Sequence, residues 1–161
     1  AICFIFDSEN KTITQKEDLA RRAKKPVHFL NRVMFENYIL DAEAIAEIIR
    51  MRLDEYDIDG IEISTEIVDK WIEENFNNRR YYENEMINKD QIEELQLDGI
   101  VWVGKIDAAK FLKELYESIL REKYRYDKMC DSVDIAKWLI ERNKPMIIEL
   151  KNEIEAMLQE A

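Results

Sequence analysis

The sequence predicts an α/β, helix-rich fold: a partial parallel sheet with flanking helices and a helical C-terminal layer. Short apolar runs typical of buried strands lie near the N-terminus, and apolar residues recur at helical spacing through most of the remaining chain. Only three glycines and two prolines interrupt 161 residues, so loops are few. Two or three short strands do not make a sheet of normal size. We therefore expect a single domain, residues 1–161, whose sheet is completed by chain upstream of Ala1.

The first predicted strand covers residues 2–6, an apolar run that ends abruptly at Asp7, and Glu9 follows shortly after. Ligands of open α/β sheets bind at the carboxyl ends of the strands, which is where both carboxylates would lie. Two neighbouring carboxylates are typical ligands of Mg²⁺ or Mn²⁺. The alternative is a strand that ends in a polar turn, with Asp7 capping the next element.

The remaining elements follow from helical spacing and from capping residues. Residues 16–25 predict a helix that Pro26 ends, and residues 27–30 predict the second strand. Three polar residues each precede an apolar helical stripe and are predicted N-caps: Asp41, Ser64 and Asp107. The chain thus divides into an α/β part, 1–63, and a mostly helical part, 64–161.

Several later segments complete the prediction. The apolar, β-branched run at 100–103 is a candidate third strand, and residues 91–97 predict a short helix or strand. One helix is expected from residue 131 or 132 to 142, and a last helix from about Pro145 to the end. We expect part of their apolar surface to pack against an N-terminal region or a second protomer, as in a homo-oligomer.

Composition excludes several classes of protein. The net charge of −11 disfavours broad non-specific binding of nucleic acid. The single histidine, His28, rules out a multi-histidine metal site, and the two cysteines lack zinc spacing. No apolar stretch approaches the ~20 residues that a membrane span needs. We therefore expect a reduced, cytoplasmic protein with no membrane contact.

Two further residues are candidates for chemistry. Consecutive strand ends of a parallel sheet lie close together, so Glu36, after the second strand, is expected near Asp7. A carboxylate among apolar neighbours is costly unless it is paired or bound to metal. Lys105, between an apolar run and a helix start, suits contact with a phosphate or with developing negative charge. The alternatives are a turn shaped by Glu36 and Asn37, and an ordinary surface lysine.

Together these segments resemble a known family. The chain contains FIFDSEN, VHFLNRVMFENYILDAEAIAEII, VWVGKIDAAKFLKEL and YRYDKMCDSVDIAKWLIERN, in that order. Their order and spacing resemble the C-terminal Toprim region of OLD-family (overcoming lysogenization defect) proteins and of related AAA-type ATPases. The resemblance implies a Toprim-like sheet over the α/β part of the chain.

The resemblance also implies an activity. It suggests a Mg²⁺- or Mn²⁺-dependent endonuclease domain that is attached, in the intact protein, to an ATPase domain that alone would bind ATP. Asp7 and Glu9 would be metal ligands, Glu36 a further ligand or an orienting group, and Lys105 would stabilise the transition state at phosphorus. DNA and the protein's own N-terminal ATPase region would be the partners.

The sequence departs from this family in two respects. Glu9 stands where the Toprim pair usually has aspartate, and the Toprim glutamate of an earlier strand is not in this chain. We therefore expect the chain alone to bind metal weakly and to cut no nucleic acid. A degenerate Toprim-like interaction or regulatory module, without catalysis, is the alternative function.

A different metal site is suggested by residues 55–66. On a twelve-position calcium loop, Glu55, Asp57 and Asp59 take positions 1, 3 and 5, Gly60 takes position 6 and Glu66 takes position 12. Glutamate replaces the usual aspartate at position 1, and position 8 is acidic rather than apolar. The simpler interpretation is an acidic turn between two helices.

Overall fold

The structure, a computed structural model, describes residues 3–8, 11–82 and 101–160. In this part of the chain, two strands form a small parallel sheet: β1 is Phe4–Phe6 and β2 is Val27–Phe29. Phe4 lies opposite Val27 and Phe6 opposite Phe29. Helices dominate the rest, so the prediction of a helix-rich α/β chain is confirmed at this level.

Helix α1, Ile13–Arg22, connects the two strands and begins earlier than predicted. Thr12 explains the difference, because its hydroxyl accepts a hydrogen bond from the Gln15 amide while the Gln15 side chain accepts one from the Thr12 amide. This reciprocal capping box satisfies two main-chain donors at the helix start. The helix ends before Pro26, as the proline requires.

The predicted N-caps are confirmed. Asp41 Oδ1 accepts a hydrogen bond from the Ala44 amide at 2.9 Å, Ser64 Oγ from Ile67 at 3.3 Å, and Asp107 Oδ1 from Lys110 at 3.0 Å. Pro145 begins the last helix, also as predicted. The remaining helices are α2 Ala42–Glu55, α3 Thr65–Asn75, α4 Val101–Lys105, α5 Ala108–Leu120, α6 Asp131–Glu141 and α7 Pro145–Glu160, with single 3₁₀ turns at Phe35–Tyr38 and Arg79–Tyr81.

The candidate third strand is wrong, because residues 101–105 form helix α4. Val103 and Ile106 are buried in the core at this point, and the Ile106 amide donates to the Trp102 carbonyl at 3.0 Å. Packing of these side chains outweighs the β preference of valine and tryptophan, which depends strongly on context. The element predicted at 91–97 lies outside the described residues.

The core is helical, and the sheet lies at its margin. The largest fully buried side chains come from the 3₁₀ turns, from α2 and α5, and from the segments beside them: Tyr38, Ile39, Ile45, Ile48, Ile49, Tyr81, Ile106, Phe111, Leu112, Leu115, Tyr116 and Leu120. By contrast, Phe4 is 47% exposed and Phe6 is 41% exposed, so the first strand is not buried as predicted. Both belong to a sheet of two strands, which covers little of its own surface.

Arg52 joins α2 to α6 through a buried ion-pair network. Its Nε donates to Asp131 Oδ1 at 2.8 Å and its Nη2 to Asp134 Oδ2 at 2.6 Å. Asp131 is fully buried and also accepts hydrogen bonds from the Tyr124 hydroxyl and the Asp127 amide.

None of the described helices has the length and apolar character that crossing a membrane requires.

We predict that Asp131→Ala lowers the free energy of unfolding by about 3–5 kcal/mol, because it removes one carboxylate partner of the buried Arg52 guanidinium and the acceptor of the Tyr124 hydroxyl and the Asp127 amide. Urea denaturation measures the change. Asp18→Ala, which removes an exposed ion pair with Arg21, is the control and costs less than about 1 kcal/mol. Equal losses in the two variants would contradict the structural importance of Asp131.

A pH dependence follows from Asp134. The hydrogen bond from Arg52 lowers the pKa of Asp134 below its ordinary value of 3.8. Its contribution to stability is therefore complete well above that value and is lost as the pH falls through the lowered, folded-state pKa. Asp134→Asn should make the free energy of unfolding less dependent on pH below about pH 4, as acid titration of thermal stability would show. If the wild type and Asp134→Asn lose stability equally as the pH falls, the role assigned to Asp134 is contradicted.

Candidate functional site

The 3₁₀ turn Phe35–Tyr38 is where distant parts of the chain meet. Glu36, Asn37 and Tyr38 are all fully buried, although they are three consecutive polar or amphipathic residues. Asn37 closes the turn on itself, because its Oδ1 accepts a hydrogen bond from the Met34 amide at 2.9 Å. Each of the three side chains then contacts a different part of the chain, so this turn is the junction between those parts.

Asp7 reaches this turn from the end of β1. Its Oδ1 accepts a hydrogen bond from the Phe35 amide at 2.9 Å, and Ser8 bonds to the Leu30 carbonyl at the end of β2. The ends of the two strands therefore converge on the residue that precedes Glu36. This brings Asp7 beside the turn that carries Glu36, as the parallel arrangement of the strands suggested. Glu9, the other half of the predicted pair, lies outside the described residues.

Asn37 ties the turn to the segment that contains Lys105. Its Nδ2 donates to the Val103 carbonyl at 2.5 Å and to the Ile106 carbonyl at 2.9 Å. The Val33 amide also donates to the Gly104 carbonyl at 3.3 Å. Lys105 is exposed and ends α4, so it lies on a helix terminus beside the turn rather than at the end of a strand.

Glu36 extends toward the α5–α6 connection. Lys128 Nζ lies 2.8 Å from Glu36 Oε1, and the Glu36 side chain is fully buried while that of Lys128 is 56% exposed. The approach has the distance of an ion pair but not the angles of a hydrogen bond, and among the described residues neither carboxylate oxygen accepts one. Glu36 is therefore a buried carboxylate whose charge is balanced, among the described residues, by the ammonium of the half-exposed Lys128.

The Tyr126 hydroxyl lies close enough to this carboxylate to be affected by its charge, and the Tyr116 ring packs against the Tyr126 ring. The Tyr116 and Tyr126 hydroxyls are buried without a hydrogen bond in the described part of the chain, and the two rings lie 5.1 Å apart. Burial, and secondarily the charge of Glu36, raises the pKa of Tyr126 well above its ordinary value. Burial also raises the pKa of Tyr116. Both phenols are thus neutral at physiological pH and able to donate to an acceptor.

Helix α7 holds the far side of the turn, through residues that the sequence interpretation missed. Arg32 forms a two-pronged ion pair with Glu149, at 3.1 Å from Nε and 2.5 Å from Nη2, and donates to the Asn37 carbonyl at 2.6 Å. The Tyr38 hydroxyl donates to Glu153 Oε2 at 2.6 Å. Two glutamates four residues apart share one helix face, which was the available signal.

The predicted calcium loop forms the connection between α2 and α3. Asp57 and Gly60 have positive φ angles of 50° and 76°, which turn the chain, and Lys123 Nζ donates to the Asp59 carbonyl at 2.6 Å. Glu66 lies in the first turn of α3, where a hydrogen bond with Ser64 lowers the pKa of its carboxyl. Within 3–8, 11–82 and 101–160, no three His, Cys, Asp or Glu side chains are grouped to hold a metal ion.

We predict that Asn37→Ala lowers the free energy of unfolding by about 2–4 kcal/mol, because two buried carbonyls and a buried amide lose their partner. Chemical denaturation gives the value. Asn152→Ala, at an exposed position of α7, is the matched control and should change stability by less than about 0.5 kcal/mol. A loss at Asn37 no larger than in this control would contradict the role assigned to the turn.

Comparisons with protein-family models, with curated proteins and with solved structures find no match to this chain.

Proposed function

We propose that this chain is the C-terminal part of a Toprim-type, metal-dependent nuclease domain, attached in the intact protein to an ATPase domain. The observation that carries the proposal is the meeting of three segments at one turn. Asp7 bonds to the Phe35 amide, Glu36 belongs to the turn, and Asn37 bonds to the carbonyls on either side of Gly104 and Lys105. These are the segments in which the resemblance places the metal ligands and the catalytic lysine.

The chemistry of Glu36 fits a divalent cation. Both of its oxygens are buried without a hydrogen-bond donor, and a carboxylate in that position needs a cation to offset the loss of solvation. Asp7 and Glu36 would hold Mg²⁺ or Mn²⁺, together with Glu9. Such an ion, when bound, stabilises negative charge on a phosphodiester and lowers the pKa of a coordinated water.

Lys105 contributes a positive charge at the same turn. It is exposed at the end of α4, next to carbonyls that Asn37 fixes in place. A lysine held there would contact a DNA phosphate and stabilise the charge that develops during cleavage. DNA is the proposed substrate, in the cytoplasm, and ATP would act only through the ATPase domain.

A second candidate is a degenerate Toprim-like module that binds partners without catalysis. One observation favours it: both acidic residues already have structural contacts. Asp7 caps the turn through the Phe35 amide, and Glu36 is paired with Lys128. Neither contact requires a metal ion, so the same residues would serve a purely structural role equally well.

The two candidates differ in the effect of Asp7→Asn and Lys105→Ala in the full-length protein. Asparagine keeps an acceptor for the Phe35 amide but loses the charge that a metal ion needs. We expect Mn²⁺-dependent DNA cleavage to fall by about 100-fold or more in each variant, the usual cost of removing one charge-stabilising group.

Lys113→Ala is the control for the lysine variant, because Lys113 is an exposed residue of α5 with a surface ion pair to Glu117. It should leave cleavage unchanged. Full activity in both Asp7→Asn and Lys105→Ala would reject the nuclease site and favour the module without catalysis.

A further inference from the structure

The contact between Lys128 and Glu36 joins a half-exposed side chain to a fully buried one. Lys128 lies on the connection between α5 and α6, and its ammonium reaches inward to within 2.8 Å of Glu36 Oε1. A long lysine stem allows this, because its methylene groups tolerate partial burial between the exposed main chain and the buried carboxylate. The cation that balances Glu36 is therefore attached to the protein by a flexible tether.

Several hydrogen bonds hold the main chain around Lys128. Asp127 Oδ1 accepts hydrogen bonds from the Met129 and Cys130 amides at 2.8 and 3.0 Å. Asp131 Oδ2 accepts one from the Asp127 amide at 2.7 Å, and Asp131 is itself held by Arg52. Displacing the ammonium from Glu36 therefore needs a change of side-chain rotamer, not a rearrangement of this connection.

A metal ion and the Lys128 ammonium would not both contact the Glu36 carboxylate at the same time. Two cations on one buried carboxylate repel strongly, because the surroundings screen charge less well than water does. The Tyr126 hydroxyl, which is buried without a hydrogen bond in the described part of the chain, adds a polar atom but no positive charge. Whichever cation is present satisfies Glu36, and the other must be solvated elsewhere.

We propose that Lys128 is a built-in competitor for the divalent cation, one that occupies Glu36 in the metal-free protein and leaves it when the ion binds. The inference rests on the proposed function and names a regulation of that site. No bond is made or broken: one cation replaces another, and the lysine stays protonated. The coupling is reciprocal, so metal binding frees Lys128 and removal of Lys128 strengthens metal binding.

The test measures Mn²⁺ binding from the electron paramagnetic resonance signal of free Mn²⁺, with thermal unfolding as the second readout. Lys128→Gln should unfold at a lower temperature without metal, since Glu36 loses its counterion. It should bind Mn²⁺ roughly tenfold more tightly, as expected if the wild-type site is open about one tenth of the time. Saturating Mn²⁺ should raise its unfolding temperature more than that of the wild type.

Two variants control for general effects. Lys113→Gln makes the same change in net charge at an exposed position of α5 and should bind Mn²⁺ as the wild type does. Glu36→Gln should abolish the binding that Lys128→Gln strengthens. If Lys128→Gln does not fold, Lys128→Arg replaces it, because a guanidinium pairs more firmly with a carboxylate and should weaken Mn²⁺ binding several-fold.

The outcomes separate the two proposals. Equal Mn²⁺ affinity in the wild type and the Lys128 variants, with binding still lost in Glu36→Gln, would overturn competition by Lys128 and leave the metal site standing. Absence of Glu36-dependent Mn²⁺ binding in every variant would overturn both. A tenfold gain that appears equally in Lys113→Gln would also reject the inference, since charge alone would explain it.

Discussion

The turn Phe35–Tyr38 buries three consecutive polar or amphipathic side chains, and the described structure is arranged around satisfying them. Burial of such groups without partners costs several kcal/mol each, and each of the three side chains here contacts a partner from another part of the chain. Asn37 bonds to carbonyls of α4 and of the residue after it, and Tyr38 bonds to Glu153 of α7. Glu36 pairs with Lys128 before α6. Asp7 then joins the sheet to the same point.

This constraint explains why a marginal two-stranded sheet has a defined place. The sheet side chains Phe4 and Phe6 are largely exposed, so the sheet gains little from burial. Polar contacts at the strand ends, among them the one between Asp7 and the turn, help to fix its position. The helical core supplies stability, while the turn supplies the geometry that brings Asp7, Glu36 and the Gly104–Lys105 segment together. A site at this turn would be held in place by the helical core.

Local chemistry explains which features could be predicted from the sequence. The N-caps Asp41, Ser64 and Asp107 were predictable because capping depends on neighbouring residues alone. The start of α1 is also set locally, by the capping box of Thr12 and Gln15. Helix α4 could not be predicted, because its apolar, β-branched residues favour a strand and only their packing in the core makes this segment helical.

The approach of Asp7 to the Glu36 segment was predictable, but the contacts around the turn were not. The principle that parallel strand ends converge was enough to bring Asp7 toward the Glu36 segment. Lys128 and Glu149 are remote in sequence from the residues with which they pair, Glu36 and Arg32. These contacts, and the full burial of Glu36, arise only from the three-dimensional arrangement of the helices.

The most direct measurement of the central claim is Mn²⁺-induced paramagnetic broadening of amide signals in NMR spectra of this chain, repeated with Ca²⁺ as competitor. A metal site at the turn predicts broadening centred on Asp7, Phe35 and Glu36, weaker toward Lys105, and undiminished by Ca²⁺ at equal concentration. Broadening centred on residues 57–66 and removed by Ca²⁺ would contradict the claim and assign the metal to the α2–α3 connection. Uniform, unlocalised broadening would contradict it as well, leaving the turn as a structural junction.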